Sequence, residues 1–161
     1  MFQMDYSSFQ DFGNDLPDLV APGIYLGDVG CAKNKSGLKS LGVKYILSVH
    51  TGAVEHFPTE FEYMLIDIMD DDEEDIFQHF EKSIQFVKKA IETDQAVLIH
   101  CGAGISRSAT ITIAYLMHEY SISYYDARKM VERARPMIYP NFGFVKQLER
   151  WEVHLKNKKS G

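Results

Sequence analysis

The sequence predicts an α/β domain with a central, mostly parallel sheet flanked by helices. Three observations lead to this fold class. Short β-rich apolar runs alternate with helical patterns through residues 19–100, and helical patterns gather after residue 107. The run AVLIH at 96–100 is wholly apolar, as suits a central strand that is covered on both faces.

Three further strand regions precede that central strand. The stretch LVAPGIYLGD (19–28) is typical of a short strand pair, broken by Pro22-Gly23. The runs VKYILSV (43–49) and FEYMLIDI (61–68) are β-rich and apolar, which predicts one strand each.

Helical patterns fill most of the remaining chain. Residues 76–92 place their apolar side chains on one helical face, with Asp75 as N-cap and Gln78 completing a capping box. The run 107–120 is apolar on most sides, which predicts a buried helix. The other predicted helices are a short one with Leu38 and Leu41 inward that stops at Gly42, one over 124–135 opened by Ser123 with Asp126 and stopped by Pro136, and a last one capped by Asn141.

The composition fits one globular domain and excludes several other classes. The chain has 161 residues and a net charge of −6, with 45% hydrophobic and 25% charged residues, so disorder is excluded as the main state. No apolar run approaches the roughly 20 residues of a membrane span, and the N-terminus lacks the pattern of a secretory signal. Two cysteines are too few for a disulfide framework, which favours a reducing, intracellular setting. The acidic balance argues against general binding to nucleic acid or anionic membranes.

The chain divides into three segments, and one loop is sharply acidic. Residues 18–156 are the predicted domain, and residues 157–161 form a polar tail that is expected to fray. Residues 1–17 form a loosely ordered lead-in, whose aromatic side chains can dock on the surface (Phe2, Tyr6, Phe9 and Phe12). Residues 67–75 read DIMDDDEED and hold seven acids in nine positions, which we call the acidic loop.

The stretch VLIHCGAGISRSATITIAYLM (97–117) carries the chemistry. A strand ends at His100-Cys101, five residues follow, and Arg107-Ser108 opens a helix. A loop that leads into a helix N-terminus points backbone N–H groups inward and cradles an anion, and a planar guanidinium can grip two phosphate oxygens. Helix N-termini and nearby cations stabilise thiolates, so Cys101 is a candidate nucleophile for phosphoryl transfer. The expected phosphate-binding residues are Gly102, Ala103, Gly104, Ile105, Ser106 and Arg107.

The same residues also have simpler interpretations. A lone cysteine at a strand end is most often a small core residue, and a glycine between strand and helix is common. The joint pattern of His-Cys, five loop residues and Arg-Ser is much rarer, which favours the catalytic interpretation. A zinc site is not expected, because the His and Cys residues lack paired ligand spacing, and no cofactor is implied.

The stretch HCGAGISRSAT resembles the signature of cysteine-dependent protein phosphatases. The segment GISRSAT is similar to the corresponding segment of the dual-specificity protein phosphatases, including the catalytic domains of MAP kinase phosphatases. The segments PGIYLGD, LGVKYILSV and YPNFGFVKQLERWE resemble the opening strands, second block and closing helix of the same family. The resemblance covers about residues 18–155 and implies a fold like that of the protein tyrosine phosphatases.

Phosphate transfer also needs a general acid, because the departing oxygen must gain a proton. The residues alone leave Asp67, Asp70, Asp71, Asp72 and Asp75 open. In the family, the acid lies seven residues after an aromatic strand residue and six before the first apolar residue of the next helix. This resemblance implies Asp70, with Asp71 as second choice, whereas Asp72 fits a solvated loop and Asp75 a helix cap.

The resemblance implies further roles. Ser108 resembles a hydroxyl that hydrogen-bonds the thiolate and helps it leave in the second step, and His100 is expected to hold the loop without reacting. Asn141 resembles an asparagine near the loop, with a plain helix cap as the alternative. Arg135 is expected to help bind a second phosphate, with a solvated helix face as the competing interpretation. Cys31 is expected to be structural.

The resemblance implies a phosphatase that removes phosphate from tyrosine and from serine or threonine through a cysteinyl-phosphate, without metal. Its expected partners are phosphorylated proteins in the cytoplasm or nucleus, reached through a shallow cleft, with no nucleic acid and no membrane. One alternative is an inactive phosphate-binding scaffold, which the presence of Cys101, Arg107 and Asp70 argues against. Another is a phosphatase for phosphoinositides or RNA 5′-phosphates. Such relatives often carry a base inside the loop, whereas this loop is uncharged between Cys101 and Arg107.

Overall fold

A computed structural model describes residues 15–160 of the chain. These residues form a five-stranded sheet in the order β1-β2-β5-β3-β4, in which β1 is antiparallel to β2 and all other neighbours are parallel. Helices flank the sheet, which confirms the predicted fold class. The four predicted aromatic docking residues of the lead-in lie outside the described residues.

The element bounds lie close to the predicted ones. The strands are β1 (Asp18–Ala21), β2 (Ile24–Gly27), β3 (Val43–Val49), β4 (Glu62–Ile66) and β5 (Ala96–His100). The helices are α1 (Val29–Ala32), α2 (Lys35–Ser40), α3 (Phe80–Glu92), α4 (Arg107–Tyr120), α5 (Tyr124–Ala134) and α6 (Phe142–Ser160). Residues 157–160 of the predicted frayed tail are therefore helical. No helix of the described residues is long and apolar enough to cross a membrane.

The central strand β5 is buried on both faces, as its composition predicts. Val97 and Ile99 face the larger core, which α3, α4, α5 and α6 cover. Leu98 faces a smaller core with Ile46 and with Leu38 of α2. Because successive side chains of a strand point to opposite faces, an unbroken apolar run is the pattern that this position requires.

Two helix starts differ from the predicted ones. The predicted helix over 76–92 begins as a 3₁₀ turn (Phe77–His79) before α3. Asp75 Oδ1 accepts from the Gln78 N–H at 3.2 Å, but the Gln78 amide donates to the Asp75 carbonyl, so the capping box is only half formed. The short helix α1 was not predicted, although Asp28 caps it by accepting from the Cys31 N–H at 3.0 Å.

One helix ends a residue earlier than predicted, at Ala134. Arg135 has φ −140° and ψ 88°, which lies outside the helical region. The cause is Pro136, because a proline ring excludes the helical conformation of the residue before it. The Arg135 side chain is buried rather than exposed on the α5 surface.

The parallel strands bring their carboxyl ends to one edge of the sheet. His100 ends β5, Val49 ends β3, and Ile66 ends β4. The loop after β5, the acidic loop after β4 and the turn after β2 therefore meet at this edge. In open α/β sheets, ligands bind at this edge.

Candidate active site

Cys101 lies at the floor of the loop between β5 and α4, with 2% of its surface exposed. Its Sγ accepts from the Gly104 N–H at 3.2 Å and lies 3.0 Å from Ser108 Oγ. Gly104 has a φ of +67°, which a residue with a Cβ rarely adopts. A Cβ there would lie 2.6 Å from Arg135 Nη2 and 2.7 Å from the Gly27 carbonyl oxygen, so the site requires glycine.

Every carbonyl of residues 101–106 is bound on the outside of the loop. The donors are His100 Nδ1 to Cys101 O (3.3 Å), Val29 N to Gly102 O (3.1 Å), Arg135 Nη2 to Ala103 O (3.1 Å), Arg135 Nε to Gly104 O (2.8 Å), Tyr139 N to Ile105 O (2.8 Å) and Thr110 N to Ser106 O (2.9 Å). In a trans peptide the N–H points opposite to the C=O. The loop amides therefore point inward, as an anion cradle requires.

Arg107 opens α4 and is half-buried beside the loop. Its Nη1 donates to the Ile68 carbonyl at 3.0 Å, and its Nη2 lies 3.6 Å from where a Cβ on Gly102 would stand. The guanidinium thus lies near the first loop glycine and is bound to the backbone of the acidic loop at Ile68. A phosphate above Cys101 would meet both the loop amides and this fork.

Asp70 is linked to the loop through one residue. Asn141 Nδ2 donates to Asp70 Oδ1 at 2.9 Å, and the Asn141 backbone N–H donates to Ser106 Oγ at 3.0 Å. Asn141 Oδ1 also accepts from the Phe144 N–H at 2.9 Å, which caps α6. The two interpretations of Asn141 are therefore compatible, since the side chain does both.

The other acids of the acidic loop have different surroundings. Asp71 Oδ1 accepts from the Glu73 N–H at 2.8 Å, a contact within the loop itself, and Asp75 caps the turn that follows. Asp72 is exposed. Of the acids in this loop, Asp70 is the one that a side-chain hydrogen bond to Asn141 links to the phosphate loop within residues 15–160.

His100 is buried between β3 and the loop. Its Nδ1 lies 3.3 Å from the Cys101 carbonyl oxygen and its Nε2 lies 2.6 Å from Ser48 Oγ. Burial lowers the pKa of His100 from its ordinary 6.5 to about 4, so the ring is neutral at pH 7. Because a carbonyl only accepts, the proton is assigned to Nδ1, and Nε2 accepts from Ser48.

Arg135 does not lie on a solvated helix face, because the residue is 8% exposed. A role in binding a second phosphate stays a prediction. Nε and Nη2 bind the carbonyls of Gly104 and Ala103, and Nη1 forms an ion pair with Asp18 at 3.0 Å.

Several residues that hold the site were not predicted from the sequence. They are Asp18, Val29, Ser48 and Tyr139, of which Val29 and Tyr139 act only through backbone N–H groups. The role of Ser48 could have been predicted, since a polar residue in an otherwise apolar strand indicates a buried hydrogen bond. The role of Asp18 could not, because its partner Arg135 is 117 positions away in the sequence.

Comparison with known proteins agrees with this geometry. The family described as dual specificity phosphatase, catalytic domain, matches residues 24–154. Dual specificity protein phosphatase 1B of Arabidopsis thaliana is 36% identical over 144 residues, covering 89% of this chain and 86% of the relative. The MAP kinase phosphatase with leucine-rich repeats protein 2 of Dictyostelium discoideum is 42% identical over 140 residues, and the chain spans only 20% of its length. The crystal structure of human DUSP28 superposes with a TM-score of 0.84 at 31% identity, covering 87% of this chain and 95% of that one.

Proposed function

The chain belongs to the family of dual specificity phosphatase catalytic domains, and we propose that it hydrolyses phosphate esters on proteins with Cys101 as nucleophile. The observation that carries this proposal is the loop around the thiol, whose carbonyls are all bound on its outer side. Amides fixed in that way stabilise the charge that develops on the phosphoryl oxygens of the transition state.

In the first step, the Cys101 thiolate attacks phosphorus in line and a sulfur–phosphorus bond forms. The bond between phosphorus and the ester oxygen breaks, and Asp70 gives its proton to the departing oxygen. Arg107 and the loop amides bind the equatorial oxygens. Asn141 supports this assignment, since it holds the Asp70 carboxyl at one end and the loop hydroxyl of Ser106 at the other.

In the second step, water attacks the cysteinyl-phosphate and Asp70, now ionised, takes the proton from that water. The sulfur–phosphorus bond breaks, inorganic phosphate leaves, and the thiolate returns. Ser108 donates a hydrogen bond to the leaving sulfur in this proposal, which the 3.0 Å distance between its Oγ and Sγ supports. Hydrogen bonds to charged groups contribute about 1.5–3 kcal/mol.

The apolar rim of the site is evidence that the substrates are proteins rather than small phosphate esters. Exposed apolar side chains come from each segment around the thiol: Met69, Ile105, Tyr139 and Phe142. The Tyr139 N–H binds the Ile105 carbonyl, and Met69 and Phe142 adjoin Asp70 and Asn141. A small phosphate ester would leave this rim in water, whereas a protein segment would cover it, with a gain of about 25 cal/mol per Å² of apolar area.

Phosphotyrosine and phosphoserine or phosphothreonine proteins in the cytoplasm or nucleus are the proposed substrates. The names of similar proteins support this class, since they include protein phosphatases and MAP kinase phosphatases. An inactive scaffold and a phosphoinositide or RNA phosphatase are less well supported, because the nucleophile is present and the loop between Cys101 and Arg107 carries no base.

One substrate panel tests the proposal. The purified chain is assayed on p-nitrophenyl phosphate, matched phosphotyrosine and phosphothreonine peptides, phosphatidylinositol phosphates and 5′-phosphorylated RNA, with Cys101→Ser as the control. We expect hydrolysis of p-nitrophenyl phosphate and both peptides, lost in Cys101→Ser. Hydrolysis of the lipid or RNA with both peptides untouched would contradict the proposed substrate class.

A further inference from the structure

We propose that Asp18 and Arg135 are positioning residues that hold the phosphate loop in its anion-binding form. This inference rests on the proposed function and explains how the cradle is kept open. The contacts of these two residues join three parts of the chain: the edge strand β1, the phosphate loop and the end of α5.

The three nitrogens of the Arg135 guanidinium donate to three different acceptors. Nε donates to Gly104 O at 2.8 Å, Nη2 to Ala103 O at 3.1 Å, and Nη1 to Asp18 Oδ2 at 3.0 Å. A rigid planar fork suits this task, since its donors meet two successive carbonyls and a carboxylate at once. The ammonium of a lysine would act as a point charge and could not match the same geometry.

The backbone conformation of Arg135 is consistent with these contacts. Pro136 excludes the helical conformation at Arg135, and the Arg135 side chain lies against the loop with 8% of the residue exposed. Burying a cation is costly unless it is paired and hydrogen-bonded. Asp18 supplies the pairing, and the two loop carbonyls supply the hydrogen bonds.

Arg135 holds the two peptides that flank Gly104. Each peptide carbonyl adjoins a glycine: Ala103 lies between Gly102 and Gly104, and Gly104 itself has φ +67°. Glycine adopts positive and negative φ with similar ease, so Arg135, together with the 3.2 Å bond from the Gly104 N–H to Cys101 Sγ, keeps these carbonyls from rotating inward. An inward carbonyl would place the negative end of its dipole where the phosphate oxygens must lie.

The structure therefore makes anion affinity depend on a residue that is outside the cradle. Without Arg135, the Ala103 and Gly104 carbonyls lose their donors and the inner amides lose their fixed direction. Without Asp18, the guanidinium keeps both carbonyls but loses its counter-ion, so the effect is smaller and works through Arg135.

The test compares Arg135→Gln, Arg135→Lys, Asp18→Asn and the double variant Asp18→Asn/Arg135→Gln. Arg133→Gln is the matched control, since it removes an exposed arginine two positions away. The readouts are the inhibition constant of orthovanadate, kcat and KM on p-nitrophenyl phosphate, and the midpoint of thermal unfolding. Orthovanadate binding by calorimetry covers the case in which the chain does not turn over substrate.

We expect Arg135→Gln to weaken orthovanadate binding at least tenfold and to raise KM while kcat falls. Arg135→Lys should recover only part of the loss, and Asp18→Asn should weaken binding about threefold in the presence of Arg135 but not in its absence. Arg133→Gln should bind orthovanadate as the wild type does. A purely structural role would lower the midpoint of thermal unfolding and leave the affinity of the folded protein unchanged.

Unchanged orthovanadate affinity in folded Arg135→Gln would overturn the inference and leave the proposed function intact. If Arg135→Gln does not fold, unchanged affinity in both Arg135→Lys and Asp18→Asn would overturn it equally. If the wild type does not hydrolyse substrate but the variants show the expected differences in orthovanadate binding, only the proposed function is contradicted.

Discussion

Asn141 joins Asp70 to the phosphate loop: its side-chain amide donates to Asp70 Oδ1 at 2.9 Å while its backbone N–H donates to Ser106 Oγ at 3.0 Å. Asp70 belongs to an exposed loop, and exposed loops move more than the elements they connect. A single side chain thus ties the candidate general acid to the candidate phosphate site. This relationship leads to the first two predictions.

Asp70→Asn should lower kcat by about 10²–10⁴-fold, the usual contribution of general acid–base catalysis. The loss should be larger for alkyl phosphates than for p-nitrophenyl phosphate, because a poor leaving group needs the proton more. Asp71→Asn is the matched control, since it makes the same change of charge one position along the loop. A larger loss in Asp71→Asn would place the acid one residue later.

Asn141→Ser should lower kcat about tenfold while the midpoint of thermal unfolding stays close to that of the wild type. Serine can still cap α6 by accepting from the Phe144 N–H, but its shorter side chain cannot reach Asp70. The measurement is steady-state kinetics together with a thermal melt. A kcat equal to that of the wild type would show that the hydrogen bond to Asp70 is dispensable.

The two cysteines should differ in reactivity at pH 7. Burial raises the pKa of Cys31 to about 12, which keeps it as an unreactive thiol. Cys101 lies at the floor of the cradle, where the Gly104 N–H faces its sulfur. Iodoacetamide should therefore alkylate Cys101 at least ten times faster than Cys31, and orthovanadate should block the reaction. Mass spectrometry of the digested protein reads out both sites, and faster labelling of Cys31 would contradict this account.

His100 should make stability depend on pH. Burial keeps the folded ring neutral down to a pKa of about 4, whereas the unfolded ring takes up a proton near 6.5. Between these values the unfolded state binds more protons than the folded state. The free energy of unfolding therefore has its full value above pH 6.5 and falls as the pH drops towards 4. At 1.36 kcal/mol per unit, this effect is as large as about 3 kcal/mol.

Urea unfolding at several pH values measures this dependence. His100→Asn should be less stable at pH 7, because the contacts of the ring with Ser48 and with the Cys101 carbonyl are lost. Its free energy of unfolding should fall less steeply between pH 6.5 and 4 than that of the wild type. Equal slopes in the two proteins would remove His100 as the source of the pH dependence.

The fold could be predicted from local patterns because they are strong here. The wholly apolar run at 96–100 is the central strand β5 and the apolar β-rich run at 43–49 is its neighbour β3, both with bounds as predicted. The helix 107–120 also has its predicted bounds, since apolar residues on most sides indicate burial between layers. The short helix α1 was missed because four residues carry too little periodicity to reveal a helix.

The site could be predicted only where its functional residues lie close together in the sequence. Cys101, Arg107 and Ser108 occupy one segment, so their spacing predicted a cradle that the geometry of the loop matches. The environment of Arg135 could not be predicted, because its partners Asp18 and Gly104 come from distant parts of the chain. A basic helix pattern suggested an exposed face, and the effect of Pro136 on the preceding residue outweighed that pattern.

Detection of the covalent intermediate tests the central claim most directly. Ser108→Ala should slow the second step about 10–100-fold, because the departing thiolate loses a hydrogen bond. Rapid mixing with p-nitrophenyl phosphate should then give a burst of one p-nitrophenol per enzyme, followed by slow turnover. Protein quenched and digested during that slow phase should carry one phosphate, on the peptide that contains Cys101. Continued turnover with no phosphate on that peptide, or with phosphate on another residue, would contradict the assignment of Cys101 as the nucleophile.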